Sequence, residues 1–149
     1  MKRSRTPWSA KLRPDMKPIV TPDPKGRGQM LLPTPMLVAE EILALPEGTL
    51  CTVSELRLRL ARRFRADLTC PLMTGIFYNL VAGATEERLE AGQAMLAPYW
   101  RVVRDDGTLS DKTPAGAERQ AERLRREGHS IGRRRARLFV KDFEQRATP

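Results

Sequence analysis

The sequence is poor in the residues that build metal centres and membrane spans. It has two cysteines, Cys51 and Cys70, and one histidine, His129, at spacings that match no zinc-binding pattern. It has no apolar run of about 18 residues, and proline-rich polar sequence stands where a signal peptide would have its apolar core. We therefore expect no metal, no membrane contact, and a cytoplasmic protein whose thiols stay reduced.

What the sequence has in excess is positive charge. Lys and Arg total 27 against 18 Asp and Glu, which leaves a net charge of +9. The positive side chains concentrate in residues 1–28 and in the run Gly132-Arg-Arg-Arg-Ala-Arg137. Such local density makes a polyanion the first partner to consider. A solvated tail is the simpler alternative for an isolated charge run.

Proline dominates the first part of the chain. Within residues 1–35 the prolines are Pro7, Pro14, Pro18, Pro22, Pro24, Pro33 and Pro35. Proline lacks an N–H donor and disfavours helix, so we expect residues 1–35 to form a basic arm that is extended or disordered. Trp8, Met30, Leu31 and Leu32 are the side chains that could attach parts of this arm to a core. The following residues, 36–149, have the length of one domain.

Beyond the arm, apolar residues recur at helical spacing. The pattern predicts helices over residues 35–45, 54–65 with Ser54 as the N-cap, 71–92 and 114–127. The short connection between the second and third helices is typical of a helix-turn-helix. Residues 130–140 predict a β-hairpin with its arginines at the turn. The predicted fold is α+β and mostly helical, a winged helix-turn-helix with an extended N-terminal arm.

Two stretches carry a resemblance to a known family. One is Pro98-Tyr-Trp-Arg-Val-Val-Arg-Asp-Asp-Gly-Thr-Leu109, followed by Gly116 and by Leu124-Arg-Arg-Glu-Gly128; the other is Gly48-Thr-Leu-Cys-Thr-Val-Ser-Glu-Leu56. Together they resemble alkylguanine-DNA alkyltransferases, also called methylated-DNA protein-cysteine methyltransferases, with their Pro-Cys-His-Arg-Val-Val, Asp-Gly and Leu-x-x-Glu-Gly motifs. The resemblance spans residues 36–131 and implies a DNA-binding winged helix.

The sequence departs from that family at its reactive positions. Tyr99 stands at the acceptor cysteine and Trp100 at the histidine base, while Val53 replaces a tyrosine and no arginine occurs near Met73 or Thr74. A phenol with a pKa of about 10 is protonated at neutral pH and is a weaker nucleophile than a thiolate. We therefore expect no alkyl transfer and assign no catalytic residue.

The chain is similar in this respect to alkyltransferase-like proteins. Members of that branch lack the cysteine, bind damaged DNA and flag it for other repair machinery. The resemblance therefore implies double-stranded DNA and repair proteins as partners, with no cofactor. We expect the protein to be a monomer.

The motif around Pro98 supplies four candidate site residues. Tyr99 and Trp100 are expected to line a pocket on which an extruded base stacks, with packing in the core as the alternative. Arg101 and Arg104 follow them and are expected to contact phosphates. The alternative is that one of these arginines pairs with a neighbouring aspartate.

The third helix and the hairpin supply the other candidates. Thr74 and Tyr78 are expected to face DNA if the third helix is a recognition helix, whereas an ordinary core helix would bury them. Arg133, Arg134 and Arg135 are expected to bind the phosphate backbone.

Three other functions remain open from the sequence. The chain could be a transcription-regulator or nucleoid-type DNA-binding protein with no lesion pocket. It could be an enzyme acting through Cys70, since a thiol before a helix N-terminus has a lowered pKa, although a packed cysteine is the simpler interpretation. It could also be a protein-protein module whose basic ends meet an acidic partner.

Overall fold

A computed structural model describes residues 6–143. The helices of this part are α1 (Pro35–Leu43), α2 (Val53–Arg63), α3 (Pro71–Glu90) and α4 (Gly116–Arg126). The strands are β1 (Ile19–Pro22), β2 (Gln29–Leu32), β3 (Cys51–Thr52), β4 (Leu68–Thr69), β5 (Val102–Val103), β6 (Ile131–Arg134) and β7 (Arg137–Val140). The predicted α+β, mostly helical class is confirmed.

The helix starts follow from local capping. The Thr34 side chain accepts a hydrogen bond from the Leu37 N–H, and Pro35 occupies the first turn of α1, where its missing N–H costs nothing. Helix α2 begins with a capping box in which Thr52 and Glu55 bond each other's backbone N–H. The prediction of Ser54 as N-cap was therefore wrong by two residues.

Helices α3 and α4 occur where the apolar periodicity placed them. Helix α3 extends over 20 residues, about 30 Å, and begins at Pro71 as predicted. Helix α4 begins at Gly116, two residues later than predicted, because the φ of Gly116, +84°, lies outside the right-handed helical region and interrupts any turn that began at Pro114. It ends just before Gly128, whose φ is +93°.

Part of the N-terminal arm forms a β-hairpin. Strand β1 pairs antiparallel with β2, and β2 pairs parallel with β4, in the connection between α2 and α3. Leu31 is fully buried in the core, so this part of the arm belongs to the packed domain. The arm is extended here, as expected, but as the strands β1 and β2. The partner of β2, strand β4, lies far along the sequence.

A single-turn 3-10 helix, Trp8–Lys11, attaches the beginning of the described chain to α3. The Glu87 carboxylate accepts hydrogen bonds from the backbone N–H groups of Trp8 and Ser9, at 2.7 and 3.0 Å. The Trp8 ring lies directly over Gly83, where a side chain would collide with it. Lys2, Arg3 and Arg5 of the predicted basic arm lie outside the described residues.

The basic hairpin predicted after α4 is confirmed. Strands β6 and β7 pair antiparallel from Ile131↔Val140 to Arg134↔Arg137. Leu138 and Val140 are buried, and the Leu109 N–H donates to the Leu138 carbonyl at 2.9 Å. We call residues 131–140 the wing; these contacts fix its base to the body of the domain.

Candidate nucleic-acid interface

The exposed face at the start of α3 is apolar. Leu72 and Ile76 are 71% and 51% exposed, and Leu58 of α2 is 46% exposed. No charged side chain occurs from Pro71 to Thr85. The positive charge of the helix-turn-helix therefore comes from α2, which carries Arg57, Arg59, Arg62 and Arg63 against Glu55.

The two α3 residues predicted to face DNA direct their hydroxyls into the protein. Thr74 is fully buried and donates a hydrogen bond to the Cys70 carbonyl at 2.7 Å. The Tyr78 hydroxyl donates to the Tyr99 carbonyl at 2.9 Å, and burial raises its pKa. The Tyr78 hydroxyl thus bonds α3 to residue 99, whereas the Thr74 hydroxyl bonds the carbonyl just before its own helix. Helical periodicity turns positions 74 and 78 away from the solvent-facing positions 72 and 76.

Tyr99 lies in the interior, with no exposed surface. Its hydroxyl donates to Glu86 at 2.8 Å, and Arg123 pairs with the same carboxylate at 2.7 Å. Burial raises the pKa of Tyr99, and Glu86 raises it further. Burial alone would raise the pKa of Glu86, but hydrogen bonds from Arg123 and Tyr99 outweigh it and hold that pKa below its usual value. The phenol is therefore neutral and fully engaged.

Trp100 is 7% exposed and stands edge-on to Tyr99, with 5.4 Å between the ring centroids. Its indole N–H donates to Glu127 at 2.7 Å. The predicted base pocket needs at least one open aromatic face, and this structure offers neither ring to a nucleotide. Both residues are instead packed in the core, which was the alternative that the sequence left open.

Arg101 is also buried, at 7% exposure. Its Nη2 and Nε donate to Glu127 at 2.7 and 3.0 Å, and its Nη1 donates to the Leu45 carbonyl at 2.7 Å. Arg101 was predicted to contact a phosphate, but here its guanidinium is occupied, because it joins the end of α1 to the end of α4. Glu127 also accepts from the Gly48 N–H; these bonds together outweigh burial and lower the pKa of Glu127.

Arg104 is half-exposed, as a phosphate-binding residue must be. Its Nη2 donates to Ser110 at 3.2 Å, and with Arg57 and Val53 it lines a cavity of about 430 Å³. Asp105 and Asp106 complete that lining, but Ser54 and Thr108 respectively bond their carboxylates and lower their pKa values.

The wing carries the densest exposed charge. Arg133, Arg134, Arg135 and Arg137 are all exposed, and no acidic residue occurs from Ile131 to Val140. Arg133 pairs with Glu118 of α4 at 2.8 Å, and the Arg134 guanidinium lies 4.6 Å from the Phe139 ring centroid. The structure thus brings the wing arginines together at one exposed edge and separates them from buried Arg101.

Sequence reasoning missed the two carboxylates that organise this region. Glu86 and Glu127 hold Tyr99, Trp100 and Arg101 in place. Glu127 lies in the Leu-x-x-Glu-Gly motif, so the motif itself offered a signal. Glu86 offered none, because acidic residues at the end of a helix are usually solvated.

The remaining reactive groups form no centre within the described residues. Cys51 is buried, and desolvation raises its thiol pKa to about 12, whereas Cys70 is half-buried. No group of three potential metal ligands occurs between residues 6 and 143. Over the same range, none of the helices combines the length and the apolar composition that crossing a bilayer requires.

Comparison with known proteins gives a likeness in fold. No protein-family model matches the chain, and no curated protein sequence matches it. Two solved structures of S. pombe Atl1 are similar, one with damaged DNA containing O6-carboxymethylguanine and one with DNA. Each has a TM-score of 0.55 and covers 77% of this chain and 94% of its own, at 19% and 20% identity respectively. At that identity the likeness establishes the fold alone.

Proposed function

We propose that this protein binds double-stranded DNA in a repair-related role, with the wing as its main phosphate-binding surface. The observation that carries the proposal is the exposed row Arg133, Arg134, Arg135 and Arg137 on a fold shared with a protein crystallised on DNA. Four exposed guanidinium groups on one hairpin, of which Arg133 alone has a carboxylate partner, Glu118, suit the backbone of a duplex. Arg104 and Arg57 extend the same charge to the helix-turn-helix.

The geometry best supports DNA binding without a preformed lesion pocket. Tyr99 and Trp100 are packed against each other and bonded to Glu86 and Glu127, so a flipped base has no open aromatic face beside them. Flipping costs a few kcal/mol, and the helper tyrosine and arginine of the resembled family are absent here. A transcription-regulator or nucleoid-type role is the alternative to the repair-related role, since it needs no lesion pocket either.

Lesion sensing is the second candidate. It is favoured by the fold likeness to Atl1 bound to DNA with O6-carboxymethylguanine and by the cavity at Val53, Arg57 and Arg104, which would receive the altered base. As a lesion sensor the protein would also transfer no alkyl group, because the Tyr99 phenol is neutral and hydrogen-bonded.

The test is a fluorescence-anisotropy titration at two salt concentrations with two matched duplexes, one intact and one carrying a single alkylated guanine. Wild type is compared with the triple variant Arg133→Gln, Arg134→Gln, Arg135→Gln. We expect salt-sensitive binding by wild type and a salt slope that falls by about 0.9 for each phosphate contact the variant loses. Arg126→Gln, in the last turn of α4, removes one charge outside the wing and should leave the salt slope close to that of wild type.

The two duplexes separate the candidates. Equal affinity for both supports DNA binding without lesion recognition, whereas at least about tenfold tighter binding of the alkylated duplex, about 1.4 kcal/mol, supports lesion sensing. Absence of binding to either duplex contradicts the proposal and favours an acidic protein partner. Transfer of a labelled alkyl group that Cys70→Ser abolishes would instead reveal an enzyme.

A further inference from the structure

The tip of the wing is a two-residue turn in which one residue has an unusual backbone conformation. Arg135 and Ala136 connect β6 to β7, directly after the closing pair Arg134↔Arg137. Arg135 has a φ of +57°, a left-handed conformation that glycine and asparagine adopt far more readily than arginine. An arginine in this strained position at an exposed tip suggests a function that requires its side chain.

The residues around Arg135 are held in place. Arg133 is paired with Glu118, Arg134 lies against the Phe139 ring, and the buried side chains of Leu138 and Val140 fix the base of the hairpin. The Arg135 side chain is exposed, and within residues 6–143 no ion pair or hydrogen bond occupies it. Arg137 is likewise exposed and without a partner within residues 6–143, but of these two arginines only Arg135 lies at the tip of the hairpin.

We infer that Arg135 enters the minor groove of the duplex and gives the protein a preference for A·T-rich DNA with a narrow groove. This inference rests on the proposed function and names its substrate class. The B-DNA minor groove is about 6 Å wide, so a single side chain fits where a two-stranded hairpin does not. Narrow A·T tracts concentrate negative potential in that groove and attract arginine.

The chemistry of the guanidinium favours a groove over an exposed phosphate. It is less strongly hydrated than an ammonium group, so it loses less hydration free energy when it enters a confined site. Arg137, which follows the tip on β7, is exposed and has no partner within residues 6–143, so it is available to contact a bordering phosphate. If the wing instead bound an acidic protein surface, its charges would give no preference for one DNA sequence over another.

The experiment compares two duplexes of equal length and charge, one containing an A-tract and the other only G·C pairs. We expect wild type to bind the A-tract duplex roughly fivefold tighter, and netropsin, which occupies the A·T minor groove, to displace it. Arg135→Lys keeps the charge and should lose most of the preference. Arg135→Gly suits the positive φ, so it keeps the fold and should lose the preference entirely.

The remaining variants and outcomes separate this inference from the proposed function. Arg126→Gln removes one charge outside the wing and should leave the ratio of the two dissociation constants unchanged. Equal binding of both duplexes by wild type, or an unchanged ratio in Arg135→Gly, overturns the minor-groove role while DNA binding stands. Absence of binding to both duplexes overturns the inference together with the proposed function.

Discussion

Tyr99 is a structural residue of the core. Its ring occupies the interior, its hydroxyl bonds Glu86 of α3, and Arg123 of α4 reaches the same carboxylate. A buried carboxylate needs such partners, because an unpaired charge in the interior is costly. Tyr99 therefore contributes to the packing of α3 and α4 against each other.

The Tyr99→Phe and Tyr99→Ala variants separate the hydroxyl from the ring. Tyr99→Phe removes one hydrogen bond but leaves Glu86 paired with Arg123, so we expect a loss of about 1 kcal/mol in the free energy of unfolding. Tyr99→Ala leaves a cavity and should cost about 3 to 5 kcal/mol. Urea denaturation followed by tryptophan fluorescence measures both; equal small losses would mean that the ring is not packed.

Glu127 is predicted to be the most sensitive acidic residue of the described chain. Glu127→Ala leaves the buried Arg101 guanidinium without its partner and should cost about 3 to 5 kcal/mol in urea denaturation. Glu122→Ala on the same helix removes an exposed pair with Arg119 and should cost less than about 1 kcal/mol. Similar losses in the two variants would contradict the structural role of the Arg101–Glu127 pair.

Among the elements, α2 depends on its capping box. Thr52→Ala removes the side-chain acceptor of the Glu55 N–H and should lower the free energy of unfolding by about 1 kcal/mol. Thr52→Ser retains a hydroxyl acceptor and should keep most of that stability. A loss in Thr52→Ser as large as in Thr52→Ala would show that the methyl group, and not the cap, is responsible.

The attachment of the first described turn to α3 is testable through Gly83. A Cβ at this position collides with the Trp8 ring, so Gly83→Ala should displace the turn from α3. We expect faster hydrogen exchange of the Trp8 and Ser9 amides, which Glu87 protects, and faster tryptic cleavage at Lys11. Gly75→Ala, on the same helix with open space around it, is the control and should change neither.

For the molecule as a whole, the buried carboxylates predict acid sensitivity. Glu86 and Glu127 have folded pKa values below the ordinary value of 4.5. These carboxylates bind protons less readily in the folded protein than in the unfolded chain. Their contribution to the free energy of unfolding is therefore complete above about pH 4.5 and is lost as the pH falls through the folded pKa values. Urea denaturation at pH 7, 5, 4 and 3 should show a decline confined to the acid side.

The variant Glu86→Gln tests the origin of that decline. It removes one of the two titrating carboxylates, so the difference in stability between pH 5 and pH 3 should shrink. Glu118→Gln alters an exposed carboxylate and should leave the difference unchanged. An identical acid decline in all three proteins would assign it to other groups.

Much of the element order could be predicted from the sequence. The apolar periodicity placed α1 and α3 within two residues at their C-terminal ends, and the basic run between short apolar segments placed the wing. The hairpin of the arm could not be predicted in the same way. Strand β2 pairs with β4 at Met30↔Leu68, and so distant a partner leaves no signal in the local pattern.

Local sequence thus accounts for the helices, the wing and its charge, because capping, periodicity and turn residues act over a few neighbouring positions. The tertiary structure decided which side chains remain available to a ligand. Arg101 and Arg135 have the same chemistry, but Glu127, 26 residues away, buries the first, and the tip of a hairpin exposes the second. A buried charge requires a partner and an exposed one does not, so packing assigned these two arginines to different roles.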